Sequence, residues 1–379
     1  MPKGVKESIK NILRFAIDCP HYWLPYKFLS GKAMRPLSVD WELTFRCNLA
    51  CRICPQELYK AQTGKRQASD EELNIDEMRA VVDDLAQMKV GVITLTGGEP
   101  FLHPQALELI SYIKEKKIAC NILTNGGVIT EKIARHVVES KVDAITFSLD
   151  GPREVHDDTR GRPGSFDKLQ QAVSLIQESK KKLCANRPNL AFNCTISALN
   201  QSCFAQILGV GCRLQVPTIN FAYLFFTNRE AVKNTQKLIE LQNAKEEDQI
   251  LPGYLKSIDV KILQEQLNIL QDKSGQQKQN INILPHLKGE ELFKYFNQDS
   301  YSYCNKCFVP WYTSRINPYG MVYPCSIDNK IGNVRKTPFP QLWNSQAYCN
   351  FRRKLKDIGL FPKCNKCCML NNRLWNLLP

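Results

Sequence analysis

From Trp41 to about residue 225, short runs of β-branched and aromatic residues alternate with longer segments whose apolar positions recur at helical spacing. The short runs lie at Trp41 to Phe45, Val92 to Thr96, Ile118 to Leu123, Ala144 to Ser148, Leu190 to Ile196 and Thr218 to Tyr223. This alternation predicts repeated βα units and a parallel sheet, because each helical crossover returns the chain to the same end of the sheet. Asn74-Ile75-Asp76-Glu77 opens the first helix, with carboxylates in the turn where free N–H groups favour negative charge. Six such units, wound right-handedly, predict an α/β fold, a partial (β/α)6 TIM-like barrel.

The flanking segments read differently. Residues 226–300 are rich in Lys, Gln, Asn and Glu, with helices expected from Val260 to Asp272 and Gly289 to Phe296 and a polar stretch from Lys273 to Gln279. They read as a helical polar linker. Residues 301–379 shift to Cys, Pro, Asn and aromatics, which predicts a small Cys-rich domain too polar to rely on an apolar core and therefore stapled by a metal. Within residues 1–38, Val5, Ile9, Ile12, Leu13, Ala16 and Ile17 share one helical face, and Lys3, Lys6, Lys10 and Arg14 lie opposite. Tyr22, Trp23, Tyr26 and Phe28 follow. Such a helix is expected to dock on its own domain, with peripheral contact to an anionic membrane as the alternative. Four parts are thus expected, at 1–38, 39–225, 226–300 and 301–379.

Composition narrows the setting. No stretch of the 379 residues reaches the roughly eighteen uninterrupted apolar residues of a membrane span, and no secretory h-region opens the chain. A cytoplasmic location is the expectation, where the 16 cysteines stay reduced and serve as ligands, reactive thiols or buried small hydrophobes. The formal charge of +14 favours an anionic partner, and nucleic acid, an acidic membrane, a phosphorylated metabolite and an acidic peptide all fit it. No nucleic-acid motif such as a KH loop or an aromatic RNP strand is visible.

Parallel barrels build their sites from the loops at the C-terminal ends of the strands, and the unusual residues fall there. Cys47, Cys51 and Cys54, spaced CxxxCxxC, follow the first strand; Gly97-Gly98-Glu99-Pro100, Thr124-Asn125-Gly126 and Ser148-Leu149-Asp150-Gly151 follow the next three. A cubane 4Fe-4S cluster normally takes four thiolates, so three leave one iron open to a small molecule bearing an amine and a carboxylate. A zinc knuckle would want a fourth ligand close by, and no Cys or His follows Cys54 before His103.

With this cysteine spacing and the GGEP segment after the second strand, the chain resembles the radical S-adenosylmethionine (SAM) superfamily. The resemblance implies that Cys47, Cys51 and Cys54 are the catalytic ligands of a SAM-binding 4Fe-4S cluster, and that Gly97, Gly98, Glu99 and Pro100 bind the methionyl amine of SAM. It places Ser148 and Asp150 at the cofactor's ribose or carboxylate, with Asn125, Arg160 and Asn193 as further cofactor-binding candidates. The segment SLDGPREVHDDTRG, with His156, Asp157 and Arg160, resembles the peptide- and protein-maturing branch. One departure is Ile53, which stands before the third cysteine where the family usually has an aromatic. Further on, Cys307, Gly320, Cys325 and Cys364-x-x-Cys367, with Pro310-Trp311, Gly332-Asn333 and Leu342-Trp343, resemble the auxiliary-cluster extension called SPASM, or its shorter relative twitch. That implies a second, auxiliary 4Fe-4S cluster on Cys307, Cys325, Cys364 and Cys367, a four-cysteine zinc site being the alternative. Cys304 and Cys368 are spare or alternate ligands, and most of Cys120, Cys184, Cys194, Cys203 and Cys212 are expected in the core.

The implied activity is reductive cleavage of SAM to a 5′-deoxyadenosyl radical, which abstracts hydrogen from a small molecule, sugar or lipid-linked metabolite for oxidation or rearrangement. An external one-electron reductant such as flavodoxin or ferredoxin is then required. Asp328 is a candidate base beside the auxiliary site. A peptide or protein side-chain substrate is the second reading, and a zinc-stapled, non-catalytic binding protein the third.

Overall fold

The computed structural model describes residues 20–55, 71–239, 257–274 and 279–370. The basic amphipathic helix expected near the start of the chain lies outside the described residues, as does most of the polar stretch from Lys273 to Gln279.

Strands β1 (Ser38–Thr44), β2 (Val92–Gly97), β3 (Ala119–Thr124), β4 (Ala144–Ser148), β5 (Asn189–Ile196) and β6 (Thr218–Tyr223) pair in parallel in chain order. Between them run α1 (Ile75–Gln87), α2 (Ala106–Glu115), α3 (Glu131–Glu139), α4 (Arg153–Arg160), α5 (Ser165–Lys182) and α6 (Phe204–Arg213). The start of α1 is fixed as its sequence suggests. Asn74 Oδ1 accepts from the N–H groups of Asp76 and Glu77 at 3.0 Å, and Glu77 Oε2 accepts from Asn74 N at 2.9 Å, a reciprocal capping box.

Burial alternates along each strand because successive side chains leave opposite faces. Val39, Trp41, Ile93, Leu95, Ile145, Phe147 and Phe192 are fully buried on the face the helices cover. The intervening residues are partly exposed and largely polar, among them Asp40, Glu42, Thr94, Thr96, Asn121, Ser148, Asn193 and Thr195. Parallel sheets are usually apolar on both faces. A polar inner face is therefore a property of an open barrel whose lumen receives a ligand.

The sheet continues past both edges of the six units. Residues 226–300, expected as a linker, supply α7 (Arg229–Leu238), α8 (Val260–Ser274) and a seventh parallel strand, β7 (Asn280–Leu284), on β6. Sequence reading missed β7 because Asn280 and Asn282 alternate with Ile281 and Ile283 in a Gln- and Asn-rich stretch that reads as polar throughout. On the other edge β8 (Thr313–Ile316) lies parallel to β1, followed antiparallel by β9 (Met321–Tyr323) and β10 (Gly332–Asn333). Ten strands form one sheet in the order β10-β9-β8-β1-β2-β3-β4-β5-β6-β7.

The C-terminal segment also has more core than expected. Phe308, Trp311, Phe339, Trp343, Tyr348 and Phe351 are buried there, so aromatic packing supports it as well as any metal. Arg352, wholly buried, lies over the rings of Trp343 (4.2 Å) and Tyr348 (3.8 Å) and donates to the carbonyls of Pro310 (2.7 Å) and Trp343 (2.9 Å). Among the described residues, no helix is long and apolar enough to cross a membrane.

Candidate active site

The cysteine loop leaves β1 and is held from two sides. On one side the loop after β2 presses against it: Gly98 N donates to Thr44 O at 2.7 Å, and Glu99 N to Arg46 O at 2.8 Å. A Cβ on Gly98 would stand 2.3 Å from Arg46 O, so only glycine permits this approach. On the other side Arg52 N donates to Thr159 O at 2.9 Å, and Arg162 Nη1 to Asn48 O at 2.7 Å. Gly161 ends α4 at φ +63°, where a Cβ would meet Ala50 O at 2.3 Å. The glycines of both motifs are thus needed to seat the cysteine loop, independently of any ligand.

Glu99 joins the loops after β2 and β3. It is fully buried and accepts from Thr124 Oγ1 (2.7 Å) and Asn125 N (2.8 Å), while burial pushes its carboxyl up to about 7. Asn125 in turn donates to Asn48 Oδ1 at 2.9 Å and to Cys47 Sγ at 3.8 Å. Across the site, Arg160 Nη1 donates to Cys51 Sγ at 3.7 Å, and Nη2 pairs with Asp150 at 2.7 Å. Asp150 also accepts from Thr195 N at 2.9 Å, and its own N–H donates to His156 Nδ1 at 3.3 Å. His156 is buried and its ring is held down to about 3 by that burial, so it is neutral and serves as an acceptor. Asp157 accepts from Gly164 N, Ser165 Oγ and Phe166 N and so fastens the start of α5.

Around this scaffold the side chains of Cys47, Cys51 and Cys54 line one cavity of about 210 Å³. Of the residues expected at a cofactor, Gly97, Gly98, Asn125, Ser148 and Arg160 line it too. Glu99, Pro100, Asp150 and Asn193 do not: Glu99 is turned onto Thr124 and Asn125, Asp150 is committed to Arg160 and Thr195 N, and Asn193 sits two residues below Thr195 on the same face of β5. Ile53 lines the cavity at the position where an aromatic was expected. Besides Leu49 in the cysteine loop, sequence reading missed three wall residues on strands, Thr96, Leu123 and Thr195. They are the last inward residues of β2, β3 and β5, and the two-residue strand period could have found them.

The second set of thiols also meets. Cys307, Cys325, Cys364 and Cys367 line one further cavity, with Lys363 beside them, although the chain separates Cys325 from Cys364 by a helix-rich stretch. Cys304 and Cys368 do not line it. Asp328, the candidate base, lies on the same segment as Cys325 and interacts with Arg315 and Lys363.

An iron-sulfur cluster fits both donor sets. Among the described residues no three His, Cys, Asp or Glu side chains gather closely enough to share a single metal ion. The thiols of each set line a single cavity, and thiolates are the usual ligands of such clusters. Burial pushes the thiols of Cys47 and Cys325 up to about 11, so each keeps its proton until a cationic group displaces it.

Residues 41–190 match the radical SAM superfamily, and residues 291–368 match the iron-sulfur cluster-binding domain SPASM. The chain carries a radical SAM domain and, after it, an SPASM domain. Members of the radical SAM superfamily are enzymes that bind a 4Fe-4S cluster and SAM, and the SPASM match adds an auxiliary iron-sulfur cluster. An AdoMet-dependent heme synthase of Nitratidesulfovibrio vulgaris is 25% identical over 351 residues, 87% of this chain and 84% of that one. A mycofactocin maturase, MftC, of Mycolicibacterium smegmatis is 34% identical over 145 residues, only 38% of this chain and 35% of its own. In structure, SuiB of Streptococcus suis bound to S-adenosylmethionine superposes with a TM-score of 0.61 over 96% of this chain and 78% of that one, at 16% identity, a likeness of fold.

Proposed function

We propose that this radical SAM enzyme oxidises a small anionic molecule, with a carboxylate-bearing tetrapyrrole as the preferred class. When bound by Cys47, Cys51 and Cys54, the cluster supplies one electron for cleaving SAM, and the 5′-deoxyadenosyl radical so released takes a hydrogen atom from the substrate. Gly97 and Gly98 offer backbone groups to the methionyl amine, and Asn125, Ser148 and Arg160 provide polar contacts from just past β3, the end of β4 and the end of α4. Thr96, Leu123, Ile53 and Thr195 wall the cavity, so that a radical formed there meets the substrate rather than other hydrogen donors. Glu99 and Asp150 act one layer out by holding Asn125 and Arg160. Cys307, Cys325, Cys364 and Cys367 would hold the auxiliary cluster, which would supply an acceptor for the substrate's second electron.

The observation that carries the substrate reading is the extent of the match: similarity to the heme synthase runs through both chains, whereas similarity to the maturase covers about a third of each. The charge of +14 suits an anionic substrate. The same maturase match, at higher identity, favours a peptide as the second reading. In functional terms we assign residues 39–225 to the SAM-cleaving core, 226–300 to the segment that extends it, and 301–379 to the auxiliary-cluster domain, with 1–38 leading in. A cytoplasmic location and a flavodoxin- or ferredoxin-type reductant complete the proposal.

Anaerobically reconstituted full-length chain should produce 5′-deoxyadenosine under dithionite, and an iron porphyrin bearing propionates should be consumed in step with it. Cys51→Ala should abolish both. Nucleoside formation without porphyrin loss, but with modification of a short acidic peptide, would transfer the assignment to the second reading; no nucleoside at all would refute both.

A further inference from the structure

Two of the three thiols at the SAM-cleaving site receive a hydrogen bond from a side chain, and the two donors differ in kind. Asn125 Nδ2 stands 3.8 Å from Cys47 Sγ, and Arg160 Nη1 stands 3.7 Å from Cys51 Sγ. Neither donor is free to drift. Asn125 is fixed by donating to Asn48 Oδ1 at 2.9 Å and by accepting from Gly127 N at 2.7 Å. Arg160 is fixed by its 2.7 Å pair with Asp150, a carboxylate of no solvent exposure that is itself held by Thr195 N.

Arg160 brings a full positive charge to within hydrogen-bond reach of a sulfur, deep in the protein where water does not screen it. Its side chain is only 11% exposed, and its Nε is buried without a hydrogen-bond partner. The reduced form of a cubane carries one more negative charge than the oxidised form. Hydrogen bonds and positive charge at the ligating sulfurs therefore stabilise the reduced form and raise the reduction potential. A cluster that must hand its electron to a sulfonium gains driving force from a low potential, but it must first be reduced by a carrier, so the potential is a compromise that the chain has to set.

We infer that Arg160 and Asn125 are positioning residues that raise the reduction potential of the cluster on Cys47, Cys51 and Cys54, with Asp150 as the anchor that keeps Arg160 on Cys51. This rests on the functional reading above and assigns these side chains a role toward the sulfurs, separate from any contact with SAM. Asp150 partly offsets the charge of Arg160, so the hydrogen bond and the residual field act together. The arrangement was not visible in the sequence, because Arg160 and Cys51 are 109 positions apart and only the packing of α4 on the cysteine loop brings them together.

The test is an EPR-monitored redox titration of the reconstituted full chain, without SAM. Asn125→Leu removes the donor to Cys47 with little change in volume. The paired change Arg160→Met with Asp150→Asn removes the donor to Cys51 without leaving a buried carboxylate uncompensated. Each is expected to weaken reduction about tenfold, a fall in potential of about 59 mV for one electron, and the two falls should add. Circular dichroism and iron content matching the parent chain keep the comparison valid if one variant folds poorly, since the other acts on a different sulfur. Unchanged potentials in iron-replete variants, or a change confined to SAM affinity, would overturn the inference while leaving the proposed function standing. A parent chain that binds no iron would instead overturn the functional reading.

Discussion

Single residues decide what the active-site cavity is made of. Glu99 is the clearest case: a carboxyl expected at the cofactor lies fully buried, bonded to Thr124 and the backbone of Asn125. Its glycine neighbours were legible as motif residues, but the reason only glycine serves was not, since the 2.3 Å approach of Gly98 to Arg46 O needs coordinates. Asp40, on the inner face of β1, shows the same separation of burial from function. Loss of solvent pushes its carboxyl up to about 6 against the help of Thr94 and Arg315, with Glu42 adding to the rise. A carboxyl raised in the folded state stabilises the fold below its unfolded value, near 4, and loses that contribution as pH climbs through about 6. Asp40→Asn should therefore flatten the fall in stability between about pH 4 and pH 7, as read by urea midpoints of the metal-free chain. An unchanged slope would show that Asp40 is hydrated.

At the scale of elements, the pattern of apolar positions located β2 to β6 within one residue, began β1 at Trp41 where the strand starts at Ser38, and failed on β7, where the Asn residues hid a two-residue period. The caps were more reliable. Asn74 was legible as the start of α1, and its box with Glu77 also serves a longer contact, because Glu77 Oε1 pairs with Arg335 Nε at 2.7 Å. Asn74→Ala should cost about 1 kcal/mol, measured as a shift in denaturation midpoint at constant slope. Glu77→Gln should cost less, because an exposed ion pair of this kind contributes about 0–1 kcal/mol. In the C-terminal segment, Arg352 replaces several weak contacts with one buried cation that ties Pro310 to Trp343. Arg352→Ala should destabilise by about 3 kcal/mol or more, since it empties a packed volume and strands buried carbonyls. Loss of soluble full-length chain at 37 °C is the expected readout, and a variant as stable as the parent would contradict the packing described.

For the whole molecule, the two thiol sites belong to one continuous sheet. β8 pairs with β1 at Asp40 and Arg315, and Arg315 reaches Glu42 at 3.0 Å, so the strand that launches the first cysteine loop is bordered by a strand that lies between Cys307 and Cys325 in the chain. Sequence alone described four parts, with a linker between the barrel and the Cys-rich unit, because strand pairing between residues about 270 positions apart leaves no local signal. A chain cut after residue 300 should consequently lose the cover on β1 and aggregate, which light scattering of the truncated protein would show. Seven cysteines are assigned to two separate iron-sulfur clusters, and an iron and sulfide count decides whether both are there. Anaerobically reconstituted full-length chain should carry about eight irons with matching sulfide, falling to about four when Cys47, Cys51 and Cys54 are all replaced by Ala. Zinc in place of iron, or an iron content that the triple replacement leaves unchanged, would contradict the account.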